Sequence, residues 1–185
     1  IVKLRRKTIA DGITQDGDLD STIATESQGF LGGTLSAMSF SPTALWTIEQ
    51  NVGGFVRIAS FTFATSVNLA GTLPLITIGA GLGQLAGPEG LSHDNVALYV
   101  SDNLNNRIQK LDITNGAYYS YRLLPNPFGT KYFNEVPSSC LVANGSSHTL
   151  TKLSSDLNPA TPFIWSAANA TGARDVTWGG VTDRK

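Results

Sequence analysis

The stretch Leu98–Asp112, LYVSDNLNNRIQKLD, constrains the fold most, because the chain writes it more than once. Moved back by 53 residues without a gap, it falls on Leu45–Ala59, LWTIEQNVGGFVRIA. Leu98 then matches Leu45, Tyr99 matches Trp46, Asp102 matches Glu49, Ile108 matches Phe55, Lys110 matches Arg57 and Leu111 matches Ile58. Moved forward by 42, it falls on Cys140–Ser154, with Asn144 at the Asp102 position and Leu150, Lys152 and Leu153 at those of Ile108, Lys110 and Leu111. A fourth, shortened copy is Ile1-Val2-Lys3-Leu4, aligned with Ile108–Leu111.

The repeated units end near residues 4, 58, 111 and 153, spaced by 54, 53 and 42. Periods of roughly 40–50 residues with several strands per unit are those of β-propeller blades. Each unit has the local chemistry of a hairpin. LYVS is apolar and β-prone, as a strand buried on both faces requires. DNLNN is turn chemistry, since Asp and Asn bond their own backbone and tolerate left-handed angles. RIQKLD returns as a half-exposed strand. An inner strand is expected before the hairpin, at 37–41 and 89–93, and an outer strand after it, at 73–79, 117–123 and 161–167. The expectation is an all-β, incomplete propeller of about three blades plus two partial ones, a single domain over 1–185.

The unit from Gly79 to Asp112 resembles an NHL repeat, with its Gly-rich loop, the opening Pro88-Glu89-Gly90-Leu91, the LYVSD strand and the NNRIQ turn. The other copies lack the Asn-Arg pair, reading Gly53-Gly54 and His148-Thr149. The resemblance implies that Asp102, Asn106 and Arg107 brace the blade turn, a role in stability more than in catalysis. The chain opens at the end of a hairpin and closes on 172–185, a partial blade whose ARDVTWGG segment reads as an inner strand. That order is expected of an arc of a larger protein, or of a ring in which the first and last segments share a closing blade, with an outer strand starting at Thr8-Ile9.

Chemistry-bearing motifs are sparse. Asp16, Asp18 and Asp20 alternate in QDGDLDSTIATE, a spacing that a calcium loop uses. Ser21 at the sixth position, Ser27 at the twelfth and the lack of flanking helices favour a solvated inter-blade loop, so no cofactor is expected and calcium is the one metal considered. Two histidines, His93 and His148, cannot build a three-His zinc site. Cys140 sits in an apolar run with nothing beside it to lower its pKa, and reads as a small buried hydrophobe. With 13 basic and 14 acidic residues the net charge is −1, which supplies no field for nucleic acid. Trp46, Tyr99 and Trp165 fall in strands and are expected in the core. The two long uncharged stretches, 30–48 and 58–88, are broken by Gly, Pro and polar residues, so no membrane span is expected.

Charged residues make up 15% of the chain, below the usual ~25%, with Ser and Thr in their place. Together with the sequons at Asn144 and Asn169, each placed in an accessible turn or loop, this composition points to an extracellular or surface setting with possible glycans. The functional expectation is a non-enzymatic scaffold that binds other proteins or copies of itself. The alternative is a metal-dependent propeller hydrolase or lyase with ligands partly in missing blades.

Overall fold

The computed structural model describes residues 2–8, 14–22, 33–40, 44–63, 67–134, 137–147, 149–157 and 163–166. A two-stranded sheet comes first, β1 (Val2–Thr8) antiparallel to β2 (Thr14–Thr22). Three antiparallel meanders follow. The first blade is β3 (Thr34–Phe40), β4 (Ala44–Val52), β5 (Phe55–Phe63) and β6 (Val67–Thr72), with the two-residue β7 (Ile76–Thr77) alongside the start of β5. The second is β8 (Pro88–His93), β9 (Ala97–Asp102), β10 (Arg107–Asp112) and β11 (Tyr118–Leu123). The third is β12 (Pro127–Phe133), β13 (Ser139–Asn144), β14 (Thr149–Ser154) and β15 (Phe163–Ser166).

The blades pack face to face, and the two-residue period of a strand decides which side chain enters which seam. Every residue of β9 is buried. Leu98 and Val100 enter the core shared with the first blade, among Ile48, Ile58, Leu85 and Leu111. Ala97 and Tyr99 enter the core shared with the third, among Ile108, Cys140, Val142 and Leu153. A strand with no solvent face reads as an apolar run, which is why LYVS does not alternate. Inner strands β3, β8 and β12 lie side by side in that order. Ser39 Oγ meets His93 Nδ1 at 2.7 Å across the first seam, and Ser92 and Thr130 hydroxyls bond across the second.

Three expectations need correction. The outer edge of the first blade, expected at 73–79, is split: β6 pairs with the end of β5, and only Ile76–Thr77 of the expected stretch pairs with its start, because Pro74 has no N–H for a ladder. The QDGDLD run is not a loop. Asp16 lies opposite Arg6 and Asp18 opposite Arg5 in β2, with Asp20 at a bulge, so its backbone is committed to a ladder and is not curled as a cation loop requires. Thr8 ends β1, and the strand that follows begins at Thr14, not at Thr8-Ile9. The expected partial blade at 172–185 lies outside the described residues. Among those described, no helix is long and apolar enough to cross a membrane.

Gly90 shows how closely the inner strands approach. A Cβ built on it collides with the carbonyl oxygen of Phe128 on β12 and with Thr130. Gly90→Ala is therefore expected to cost about 1–3 kcal/mol by forcing the second and third blades apart. Urea unfolding checks this, and an unchanged midpoint would show that the seam yields freely.

Candidate functional site

The most heavily bonded feature is the end of the second-blade hairpin. Asp102 closes β9 and Arg107 opens β10 directly opposite, so the register alone brings carboxylate and guanidinium together. Both are buried, with Arg107 Nε donating to Asp102 Oδ2 at 2.7 Å. The rest of the guanidinium holds the Gly-rich loop. Nη1 donates to Ala80 O at 3.0 Å, and Nη2 to Gly81 O at 2.8 Å and Gln84 O at 2.9 Å. Asp102 Oδ1 accepts the Ala86 N–H at 2.7 Å, and Oδ2 also accepts from Asn105 and Gln109. Gln109 adds its amide oxygen to the Gly83 N–H and its amide nitrogen to Gln84 O. Loop carbonyls that water would otherwise satisfy are thus gathered on one buried cation.

The turn also reaches forward. Asn106 adopts the left-handed conformation, φ 52° and ψ 48°, which Asn tolerates better than most residues. Its side-chain oxygen accepts the Asn126 N–H at 2.8 Å, and its carbonyl accepts the Leu124 N–H. Asn103 Nδ2 donates to Asn126 Oδ1 and Pro127 O. Asp102 and Arg107 thus bond the loop before the hairpin, and Asn106, with Asn103, bonds the segment after it.

The same cross-strand contact recurs in altered chemistry. In the first blade Glu49 and Arg57 form a buried ion pair. A gapless alignment puts Arg57 on Lys110, whereas the register puts it opposite Glu49, as Arg107 is opposite Asp102. The longer turn through Asn51, Gly53 and Gly54, all at positive φ, takes up the difference. In the third blade Asn144 Nδ2 donates to Thr149 Oγ1 at 3.1 Å and Thr151 Oγ1 at 2.6 Å. Asn144 is buried, which corrects its placement in an accessible turn: the amide nitrogen that a glycan would occupy is turned inward onto β14. Asn169 and His148 lie outside the described residues.

His93 ends the inner strand β8, half-buried, with its ring 6.3 Å from that of Trp46. Desolvation, reinforced by Lys131, lowers its pKa below the usual 6.5, while Asp94 opposes the shift. Burial pushes the Cys140 thiol up to about 12, the pKa of an inert core residue. Tyr99 is fully buried and stacked on Tyr132 at 5.3 Å, and Trp46 packs against the first seam, both as expected of core aromatics.

Sequence reasoning missed four exposed apolar side chains on the loop, turn and strand that meet at Arg107. Leu104 is 71% exposed at the tip of the turn, and Leu123, opposite Arg107 on β11, is 66% exposed. Leu82 is exposed on the loop that Arg107 holds, and exposed Tyr121 lies with its ring centroid 5.9 Å from the guanidinium carbon. The available signal was leucine inside Gly-rich and Asn-rich turn segments, where turn chemistry does not call for it.

Solved structures share this architecture. The chain superposes on Staphylococcus aureus virginiamycin B lyase with a TM-score of 0.53 and 13% identity, covering 96% of this chain and 53% of that one. For a streptogramin B lyase structure the values are 0.52, 18%, 96% and 52%. For a chain of the nidogen/laminin complex they are 0.55, 13%, 75% and 49%. All three are β-propellers. The fold is an incomplete β-propeller. At these identities the likeness shows the fold alone, and the chain spans about half the length of the propellers it matches. No family model matches the chain, and no curated protein matches it in sequence.

Two outcomes follow from this geometry. Arg107→Ala leaves the Asp102 carboxylate buried without its cation and is expected to cost about 3–5 kcal/mol. Hydrogen exchange at the Gly83 and Ala86 amides should accelerate with it, and protection equal to wild type would show that the loop is held otherwise. His93, with a folded pKa below its unfolded value, contributes stability that is present above pH 6.5 and is lost as pH falls through the folded pKa. The melting temperature should therefore drop more steeply on acidification below pH 6.5 in wild type than in His93→Gln. Parallel slopes would assign the titration to another group.

Proposed function

We propose that this chain is a non-enzymatic propeller scaffold that assembles with other proteins or with copies of itself, as part of a larger extracellular or surface structure. The exposed apolar side chains Leu82, Leu104, Tyr121 and Leu123, carried by the loop, turn and strand that meet at Arg107, carry this reading. Several exposed apolar side chains on segments joined at one point suit a contact site better than single scattered ones do. Here they stand on a turn and loop locked by buried ion pairing, so little entropy is lost when a partner orders them. Among the similar propellers, nidogen is seen in a complex with laminin, which supports an interaction role without naming a partner for this chain. Asn169 is the remaining candidate for a glycan, since Asn144 faces inward.

The test compares wild type with Leu104→Asp/Leu123→Asp, both immobilised and exposed to extracts of the source. A partner identified on wild type should, once purified, bind the variant at least about tenfold more weakly, as expected where apolar anchors carry the energy. Thermal unfolding should be unchanged, because both side chains project into solvent. Equal binding would remove this surface from the reading. Stoichiometric calcium or zinc in the native protein, with a turnover abolished by chelation, would replace the scaffold with the hydrolase or lyase alternative.

A further inference from the structure

The outer strand of the second blade, β11, ends its sheet, and no described strand pairs with its free edge. Natural sheet edges are blunted by proline, by bulges or by short length. The first blade follows that rule, its outer edge divided between β6, with a register shift at Ser60 and Phe61, and the two-residue β7. In the third blade β15 has only four residues. β11 breaks the rule. Its one irregularity lies between Lys110 and Leu111, so residues 120–123 run in unbroken register along β10.

The phase of the hydrogen bonds decides what that edge offers. Leu124 N–H donates to Asn106 O at 2.9 Å, one step beyond the Arg107–Leu123 pair. Bonded and unbonded pairs alternate in an antiparallel ladder. Arg122 is therefore the residue that bonds Ile108, and the main chains of Tyr121 and Leu123 turn away from β10. No described residue bonds the N–H or C=O that these two present outward. Their side chains are also exposed, so open ladder groups and apolar surface coincide. Those side chains lie on the face of Gln109 and Arg107, whereas Arg122 lies on the other, with Ile108. Arg122 is half-buried and forms no ion pair among the described residues. The strand itself is already fixed. Tyr118 packs against the first core, the Tyr119 hydroxyl donates to Asp112, and Ser120 Oγ donates to Asp156 O at 3.1 Å.

We propose that β11 accepts an extended segment of a partner protein as a further strand of the second blade, with apolar residues opposite Tyr121 and Leu123 and an acidic residue opposite Arg122. Such a segment is one form of the contact proposed above, on which this assignment rests. Its main chain bonds Tyr121 and Leu123, which gives affinity independent of sequence. Arg122 gives the selection. It takes an unbonded position toward an added strand, where opposed side chains approach most closely. A second copy of β11 does not suit this edge. A two-fold axis at Arg122 sets it directly opposite its own copy, and one at Tyr121 sets the two arginines diagonally. Like charges so placed repel, whereas a carboxylate pairs with the open guanidinium.

The probe is a library of random peptides displayed on phage and selected on the immobilised chain. Enriched sequences should alternate apolar residues around a central acid. With a synthetic peptide of that sequence bound, the Tyr121 and Leu123 amides should exchange at least about tenfold more slowly. The Arg122 amide, already bonded to β10, should not change. Tyr121→Pro removes an outward N–H and no β10 bond, and should bind the peptide at least about tenfold more weakly than Tyr121→Ala. Should the proline variant fail to fold, Arg122→Glu gives an independent readout. It should weaken acidic peptides by about two- to fivefold and strengthen their lysine counterparts by as much. An absence of enriched peptides, or unchanged exchange at both amides in the complex, overturns the proposal. So does equal binding by the proline and alanine variants, or indifference to the charge at Arg122. Peptides that are lost in Leu82→Asp/Leu104→Asp and leave both amides fast overturn strand addition and keep the contact surface. Slowed amides in a protein with a chelatable, metal-dependent turnover keep the strand site and overturn the scaffold instead.

Discussion

A polar contact across the hairpin, between a residue at or near the end of a blade's second strand and a residue opposite it on the third, organises this molecule. Where that contact is Asp102–Arg107 it does more than join two strands. A guanidinium has five donors in one plane, and a single carboxylate cannot use them all. The remainder collect the carbonyls of Ala80, Gly81 and Gln84, so an irregular Gly-rich loop becomes as fixed as the sheet it covers. The surface leucines of that region owe their position to this one buried charge.

The three hairpins show how far the contact tolerates change. Glu49–Arg57 keeps the charge and lengthens the turn. Asn144 with Thr149 and Thr151 drops the charge and keeps the hydrogen bonds. The link before the third blade is correspondingly short, from Leu123 to Pro127, with no long loop for a cation to gather. Between the second and third blades loop length and the charge of the pair differ together, since loop carbonyls need a donor and a short turn does not.

The seams explain why the blades are uneven in their exposure. A blade between two others buries both faces, so β9 carries no solvent-facing residue. In the first blade the inner strand keeps Leu35, Met38 and Phe40 partly exposed, whereas Ala37 and Ser39 on its other face are buried. The outer strand β11 alternates half-buried and exposed residues because it lies at the rim, where the blades splay apart.

The sequence by itself determined the repeat and the hairpins, because turn chemistry and β-prone runs are local properties. It also marked Cys140, Tyr99 and Trp46 as core, since no nearby residue offered them other work. It misjudged whatever depended on register or on a neighbouring blade. The outer edge of the first blade split into β6 and β7 around Pro74, and the aspartate run read as a loop became β2, paired with β1. Arg57 proved to be the partner of Glu49 only once cross-strand pairing was known. Asn144 looked like an open sequon and is buried, because whether a turn residue faces water is set by the strand opposite it. Tertiary structure alone decided the exposure of Leu82, Leu104, Tyr121 and Leu123 and which side chains of β3 the second blade covers. Both arise from contacts between segments far apart in the chain, and no local pattern encodes which face of a strand a neighbour will cover.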